Sequence, residues 1–592
     1  MAKKQEQKQK KEKREQKKTA PNAKKIQEQK MQEHEEDILH WADHIAKEVK
    51  ARVDADPKLK KLVEKQGFIV YDEKTPSGKI HVGSGRGWII HDAIAKAMRS
   101  QGMQATFILS SDDIDPYDKP NKELPSDWDK YLGMPFRNMP SPVPGYEHFG
   151  DYYFRQATEK FGELGIEAEL ESTGEQYEKG IFNKAIKTIL DNHQKVQAIY
   201  KELYGEEAGG ANKIPFNVIC KKCGKIATTR ATHWDAKKEL LAYECKDDVV
   251  KWAQGCGHTG KVSPYNGNGK FPWKVEWAAK WPSKTVVCEL AGKDHFTHGG
   301  SRTCAVKISS EVLDYPPPYP STRTETGDGY EFFTIGGQKM STSKGIGVAF
   351  ADITNYLPPK IVRYLLIKTR PHAVLSFDPC KDDDIIFLFD RYDETERIYF
   401  KKEKASNPKE AKMQKRIYEL SQVGPIPKKM PAQISFVFAS VVIQTGLNEE
   451  GALKILRRLG HIPEDLEGHD MHAVMERLHD AKRWVERFAS ERYKFEVQSI
   501  GHAIKLKEDG LIGEKERKAL LMVAQTVKKK KWDEKALHDE FYHICKKLNV
   551  DVKAFFQSAY KVLINKERGP RLASFVLTLG DRAVQLFETL EE

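Results

Sequence analysis

The chain has 592 residues, 39% of them hydrophobic and 31% charged, and a chain of this length predicts three or four folded units. No run of eighteen apolar residues occurs, and no apolar stretch follows the first charges, which argues against membrane association and against a secretory signal. Eight cysteines are too few for a disulfide scaffold and indicate a reducing compartment, the cytoplasm.

The formal net charge of +12 is concentrated near the N-terminus. Residues 1–30 contain twelve Lys or Arg and four Glu, a net charge of +8, so the remainder of the chain is nearly balanced. Because the segment has no apolar stripe, we expect residues 1–36 to be a basic, disordered extension or a solvated helix. It is either a solubilising tail or an arm that attracts RNA phosphates.

The globular part begins near Asp37 with alternating strands and helices. Phe68–Tyr71 and Ala105–Leu109 are short apolar runs typical of buried strands. Between them lie a glycine-rich turn and a helix, which we expect to begin at Trp88 and to end before Gly102. This order predicts an α/β fold with a Rossmann-type, doubly wound parallel sheet.

Later segments change character twice. Residues 211–265 contain four cysteines and short strand-like pieces, and strand patterns resume at Thr285–Leu290 and Glu331–Ile335. After about Ser435 the pattern is that of amphipathic helices, such as the one with Val474, Leu478, Ala481 and Val485 on one face. We therefore predict a catalytic domain at 37–345 with an insertion at 211–265, a connecting region at 346–434 and a helical domain at 435–592.

The first segment that carries chemistry is Thr75-Pro-Ser-Gly-Lys-Ile-His-Val-Gly-Ser84, directly after the first strand. Ligands bind at the carboxyl ends of parallel strands, and the N-terminus of the following helix favours phosphate. His81 can donate a hydrogen bond to a phosphate whose charge is growing. An incidental histidine in a glycine-rich turn is the alternative.

The second segment is Lys339-Met-Ser-Thr-Ser-Lys-Gly345, which follows Gly336 and Gly337. A glycine-flanked loop with two lysines and small hydroxyl residues suits a triphosphate that is losing pyrophosphate. Its combination with the histidine turn some 260 residues earlier points strongly to a nucleotide site.

These two segments resemble the signature motifs of class I aminoacyl-tRNA synthetases. Ser84 departs from that pattern, which has His or Asn at this position, although serine can still donate a hydrogen bond. The resemblance implies a catalytic role for His81, Ser84, Lys339 and Lys344. It implies an ATP site, with magnesium accompanying ATP as substrate, formed by Ser77, Gly78, His81, Gly83, Asp294, Lys339, Met340, Ser341, Ser343 and Lys344.

Over residues 37–592 the chain resembles one family of that class, the class I lysyl-tRNA synthetases. The resemblance rests on these segments: His40-Trp-Ala-Asp43, Lys130-Tyr-Leu-Gly-Met-Pro135, Trp273-Lys-Val-Glu-Trp277, Ala291-Gly-Lys-Asp-His295, Gly299-Gly-Ser301 and Lys566-Glu-Arg-Gly-Pro-Arg-Leu572. It implies a lysine pocket lined by Thr75, Trp273, His295 and Tyr330.

Aromatic rings suit the aliphatic stem and the ammonium of lysine, and a carboxylate should complete its recognition. Glu276 and Asp112 are the candidates for that carboxylate. Asp112 belongs to the acidic run 112–115, which could equally be a capping turn or a magnesium site. Glu73 and Lys74 depart from the family pattern of a small and an aliphatic residue, which puts the floor of the pocket in question.

Four cysteines of the insertion are predicted zinc ligands. Cys220 and Cys223 have the spacing of a zinc knuckle, and Cys245 and Cys256 can complete a tetrahedral site. His258 is an alternative fourth ligand. Four protein ligands leave no open position, so we expect a structural zinc in a ribbon-like fold.

The sequence therefore predicts a lysine–tRNA ligase that forms lysyl-adenylate from ATP and lysine and transfers lysine to tRNA(Lys). We expect the helical region to bind the anticodon and the chain to be a monomer. The alternatives are a glutamyl- or arginyl-tRNA synthetase of the same class, or a tRNA-binding paralogue without catalytic activity.

Overall fold

A computed structural model of the chain describes residues 40–121, 123–207, 212–297, 299–321, 329–331, 333–335, 348–378 and 380–591. The basic extension 1–36 and the lysine-containing loop 339–345 lie outside these residues. Within the described ranges, no helix has both the length and the apolar character needed to cross a bilayer.

A four-stranded parallel sheet forms the centre of the N-terminal half. Its strands lie in the order β3-β2-β1-β9, with β1 at Phe68–Lys74, β2 at Ala105–Ser111, β3 at Glu169–Ser172 and β9 at Val286–Cys288. The chain moves outward from β1 to β3 and then returns to the other side of β1. The topological switch point, where such sheets bind ligands, is therefore between β1 and β9. The predicted parallel α/β sheet is confirmed.

Helices cover this sheet. In the N-terminal half they are α1 (Trp41–Ala55), α2 (Pro57–Gln66), α3 (Val82–Ser100), α4 (Phe149–Thr158), α5 (Thr173–Glu178), α6 (Asn183–Asp191), α7 (His193–Tyr204), α8 (Trp273–Lys284) and α9 (Ser301–Glu311). Because both faces of the sheet are covered, the interior of β1 is an unbroken apolar run, with Val70 and Tyr71 fully buried.

Helix α3 begins at Val82, earlier than the predicted start at Trp88. Its first turns contain Gly83, Gly85 and Gly87. Glycine has a low helix propensity, so the sequence pattern hid these turns. The buried helix N-terminus therefore follows directly after His81, which is the N-cap residue.

The insertion consists of two small antiparallel sheets. One has the order β5-β6-β7, with β5 at Thr229–Asp235, β6 at Leu240–Cys245 and β7 at Thr259–Val262. The other pairs β4 (Asn217–Val218) with β8 (Gly269–Lys270). The β4–β8 pair forms the stem through which the chain enters and leaves the insertion.

A second parallel pair, β10 (Phe333–Ile335) and β11 (Leu375–Phe377), follows the central sheet. In the remaining described part the elements are helical: α10 (Pro359–Lys368), α11 (Asp382–Tyr399), α12 (Pro408–Ser421), α13 (Phe436–Gly446), α14 (Glu449–Arg458), α15 (Gly468–Arg487), α16 (Ile500–Glu508), α17 (Glu514–Lys529), α18 (Glu534–Leu548), α19 (Val552–Ile564), α20 (Leu572–Leu579) and α21 (Asp581–Glu588).

The predicted helical C-terminal region is thus confirmed, and Val474, Leu478, Ala481 and Val485 are buried along α15 as expected. The large core that begins in α1 continues to Ala489, and a separate core begins at Ala503. The domain boundary at 435 stays a prediction.

Candidate active site

A cavity of about 180 Å³ opens at the carboxyl end of β1, beside the switch point. All four residues of the predicted lysine pocket line it, although they come from four separate segments of the chain. The lining residues are Asp72, Glu73, Lys74, Thr75, Ser84, Trp88, Asp112, Trp273, Trp277, Glu289, Leu290, Ala291, Gly292, His295 and Tyr330.

One wall of the cavity is aromatic. The rings of Trp273 and Trp277 stack with their centroids 4.7 Å apart, and His295 meets both edge-on at 5.5 and 5.3 Å. His295 is held by a 2.9 Å hydrogen bond between its Nδ1 and the hydroxyl of Ser301. Such a wall suits an aliphatic chain that ends in a cation.

The histidine turn lies beside the cavity at the start of α3. A Cβ at position 83 would lie 2.9 Å from the ring of His81, so the close packing of this turn requires Gly83. Burial, together with the charge of Lys74, lowers the pKa of His81 to about 4. The imidazole is therefore neutral near pH 7 and keeps one N–H to donate.

Both flanks of the loop 339–345 border this turn. The N–H of Val82 donates to the carbonyl of Val348, and the N–H of Phe350 donates to that of Ile80, at 2.9 and 2.7 Å. On the other flank, the carbonyl of Phe333 lies near Gly83. Lys339, Met340, Ser341, Ser343 and Lys344 are not described, but the points where their loop departs and returns are next to His81.

The other predicted ATP residues lie around the same turn. Gly78 is buried and Ser77 half-buried in the segment before His81, and Ser84 donates its N–H to the His81 carbonyl at 3.0 Å. Asp294 is exposed and does not line the cavity. Its role at adenosine stays a prediction.

Behind the cavity lies a buried network of charged residues. Lys270, on β8, contacts Asp112 at 2.9 Å, Asp115 at 2.5 Å and Glu276 at 3.0 Å. Although burial alone would raise the pKa of Asp112, Lys270 outweighs that effect and holds the pKa below its ordinary value. Thr75 donates its hydroxyl to Asp115 at 3.1 Å, which connects the network to the cavity.

A second lysine completes the network. Lys280, on α8, contacts Glu276 at 2.6 Å and also pairs with Glu73. The hydroxyl of Tyr177 donates to Glu276 at 3.2 Å. Glu276 is therefore enclosed by protein partners and does not line the cavity. Of the two carboxylates predicted to meet lysine, Glu276 lies behind the wall, and Asp112 lines the cavity but is paired with Lys270.

The four cysteines of the insertion lie together. The Sγ atoms of Cys220 and Cys256 are 3.6 Å apart, and those of Cys223 and Cys245 are 3.8 Å apart. All four sulfurs are within 4.8 Å of one another. His258, the alternative ligand, instead packs its ring against Tyr243 and accepts the N–H of Cys245 with its carbonyl.

Several residues of the site escaped sequence analysis. Trp277 and Glu289 line the cavity, and Lys270 and Lys280 hold its wall together. The sequence does contain an indication of Asp72. The strand Phe68–Lys74 has charged residues at its carboxyl end, where parallel sheets bind ligands.

Comparison with known proteins agrees with this geometry. Residues 39–424 match the family model described as tRNA synthetases class I (K). The chain is 32% identical to a lysine–tRNA ligase of Methanocaldococcus jannaschii over 571 residues, which is 93% of this chain and 100% of that protein. It is also 32% identical to a lysine–tRNA ligase of Pyrococcus furiosus, covering 92% of this chain and 98% of that one.

The structure of a glutamate tRNA ligase from Elizabethkingia meningosepticum aligns with 88% of this chain and with 99% of its own chain. The TM-score is 0.37 and the sequence identity is 10%, so the similarity between the two structures is weak. The parallel sheet, the histidine turn at its switch point and the family match define a class I aminoacyl-tRNA synthetase. Within that class, the chain belongs to the lysine family.

Replacing Lys270 with Met should destabilise the protein. The substitution leaves three carboxylates, Asp112, Asp115 and Glu276, without their common cation, and removing one partner of a buried ion pair costs about 3–5 kcal/mol. Urea unfolding should show this loss. Lys60→Met, at an exposed lysine of α2, is the control and should change stability by at most about 0.5 kcal/mol. Equal stability of the two variants would contradict the role of Lys270.

Proposed function

We propose that the protein is a lysine–tRNA ligase that uses ATP to attach lysine to tRNA(Lys). The observation that carries the proposal is the cavity at the switch point, where Thr75, Trp273, His295 and Tyr330 meet beside the histidine turn. Its aromatic wall suits the lysine side chain, and a lysine bound there would lie near the N-terminus of α3, which favours phosphate.

The reaction has two steps. The carboxylate of lysine attacks the α-phosphorus of ATP, and pyrophosphate leaves as the lysyl-adenylate forms. A ribose hydroxyl of the terminal tRNA adenosine then attacks the activated carbonyl, and AMP leaves. The neutral His81 donates a hydrogen bond to the phosphate during the first step, and Lys339 and Lys344 neutralise the departing pyrophosphate. Magnesium enters with ATP as part of the substrate.

The measurement that tests the proposal is ATP–pyrophosphate exchange with each of the twenty amino acids, with and without tRNA. We expect exchange with lysine and little with the others, because the cavity combines an aromatic wall with carboxylates. Exchange with glutamate or arginine instead would assign the protein to another specificity of class I. A complete absence of exchange, with tRNA binding retained, would favour the inactive paralogue.

Replacing Lys344 with Ala should slow the formation of lysyl-adenylate by about 100-fold, or about 2.7 kcal/mol of transition-state stabilisation. Rapid-quench kinetics of the first step measures the rate. The affinity for lysine should change little, because the loop flanks border His81 and not the aromatic wall. Lys344→Arg keeps the charge and should restore part of the rate. An unchanged rate in the alanine variant would show that this loop does not act on ATP.

We also propose a structural zinc in the insertion, held by Cys220, Cys223, Cys245 and Cys256. With Zn–S bonds of about 2.3 Å, the sulfurs of a tetrahedral site are about 3.8 Å apart, which matches the two closest pairs. The N–H of Cys256 donates to the Cys245 sulfur at 3.4 Å, a contact that favours a thiolate. The family resemblance implies that the insertion faces the acceptor stem of tRNA, and such a site would hold the insertion in shape for that contact.

If this site binds metal, the purified protein should contain about one zinc per chain. The double variant Cys220→Ala/Cys223→Ala should lose the zinc and raise the KM for tRNA more than that for ATP or lysine, because the ribbon lies outside the cavity. Metal analysis and aminoacylation kinetics measure these effects. Cys380→Ala, at an exposed cysteine outside the cluster, should keep its zinc. Metal-free protein isolated under reducing, chelator-free conditions would contradict the proposal.

Other features of the proposal rest on the sequence. Anticodon binding by the helical region, the monomeric state, the cytoplasmic location and the role of the extension 1–36 stay predictions. None of the eight cysteines forms a disulfide, and all eight lie in the part of the chain that the structure describes.

A further inference from the structure

The cavity has four carboxylates on its lining, and three of them already have a cationic partner. Glu73 pairs with Lys280, Asp112 pairs with Lys270 at 2.9 Å, and Glu289 lies 3.4 Å from Arg302. Asp72 differs from the others, because no lysine or arginine nitrogen of the described residues lies within 4.0 Å of it. Burial raises the pKa of Asp72 to about 7, so an ammonium group that enters the cavity finds one carboxyl group without a close cation and would favour its ionised form.

The histidine beside Asp72 carries no charge. His91 is fully buried, and its Nδ1 lies 3.5 Å from Asp72 Oδ2. Its Nε2 accepts the N–H of Leu290 at 2.9 Å, so the ring proton is on Nδ1 and is donated to the carbonyl of Gly87 at 2.7 Å. Burial lowers the pKa of His91 to about 4, which keeps the ring neutral.

The carboxylate of Asp72 is also fixed in orientation. Its Oδ1 accepts the N–H of Glu73 at 2.8 Å, which leaves Oδ2 to face a ligand. A Cβ built at Gly87 would lie 2.7 Å from the hydroxyl of Tyr330 and 3.2 Å from Asp72 Oδ2. These two oxygens therefore face the same small space on α3, which stays open because residue 87 has no side chain.

The cavity also has a positive charge on β1, that of Lys74, which acts electrostatically on Asp72. Asp72 and Lys74 are two residues apart on β1, so their side chains leave the same face of the strand about 6.6 Å apart. Lys74 acts electrostatically on His81, at the phosphate end of the site. A lysine molecule with its ε-ammonium at Asp72 would thus direct its α-carboxylate toward Lys74 and His81, where the reaction requires it.

We propose that Asp72, with the Tyr330 hydroxyl and the space left by Gly87, binds the ε-ammonium of the substrate and determines the specificity for lysine. This inference rests on the proposed function and assigns the recognition to a residue other than Glu276 or Asp112. Glu276 and Asp112 are already neutralised by Lys270 and Lys280, so their role is to support the wall of the cavity.

The test compares lysine with norleucine in ATP–pyrophosphate exchange assays with tRNA present. Norleucine has the same carbon chain as lysine but lacks the terminal ammonium. Asp72→Asn should raise the KM for lysine by about 10- to 100-fold, the range of a hydrogen bond to a charged group, with a much smaller change in kcat. The KM for norleucine should not rise, so the discrimination between the two amino acids should fall by the same factor. Asp72→Glu, which keeps the charge, should retain more of the discrimination.

Asp118→Asn, at an exposed aspartate, is the matched control and should behave like the unaltered protein. Thermal unfolding shows whether each variant is folded. If Asp72→Asn fails to fold, Gly87→Ala tests the same space with Asp72 intact, and it should raise the KM for lysine by at least about tenfold, because its methyl group lies between the two oxygens.

An unchanged ratio of lysine to norleucine in Asp72→Asn, or an unchanged KM for lysine in Gly87→Ala, would overturn the inference. If Asp112→Asn lost the discrimination between lysine and norleucine while Asp72→Asn kept it, Asp112 would be the residue that recognises the ammonium. These outcomes differ from a failure of the proposed function, which would appear as an unaltered protein that does not activate lysine.

Discussion

The structure around the cavity depends on one buried electrostatic arrangement, in which Lys270 and Lys280 hold three carboxylates at the ends of β1 and β2 and a fourth, Glu276, on α8. Each of these charges would cost several kcal/mol if it were buried without a partner. The arrangement therefore fixes the relative positions of the strand ends, of helix α8 and of strand β8. The aromatic wall is carried by α8, so its distance from the histidine turn follows from the same contacts.

The same arrangement decides which charges the cavity offers to a substrate. Lys270 and Lys280 neutralise the carboxylates of the wall, whereas Asp72, on β1, has no lysine or arginine nitrogen within 4.0 Å among the described residues. In the proposed scheme, Asp72 would recognise the ammonium, while other carboxylates support the pocket. This separation of roles has a physical reason. A carboxylate that left its buried lysine partner to bind a ligand would lower the stability of the protein.

The sequence predicted the parts of the site that are encoded by short segments. Thr75, Trp273, His295 and Tyr330 were identified through the family resemblance, and the structure brings them to one cavity. Glu276 is one of the two carboxylates that the sequence offers for the lysine ammonium, but only the fold shows that Lys270 and Lys280 enclose it. Buried lysines are rare, and nothing in the local sequence distinguishes these two from the many on the surface.

The early start of α3 was hidden for a different reason. Its glycines lower helix propensity, whereas the tertiary structure uses Gly83 for close packing against His81 and Gly87 to leave a space beside Tyr330. The stem of the insertion has a further consequence. Lys270, the residue that neutralises the cavity wall, is on β8, which pairs with β4. The insertion is separate in sequence, but its buried residues share one continuous hydrophobic core with the catalytic sheet. Excising it would therefore remove the strand pairing that presents Lys270 to the wall.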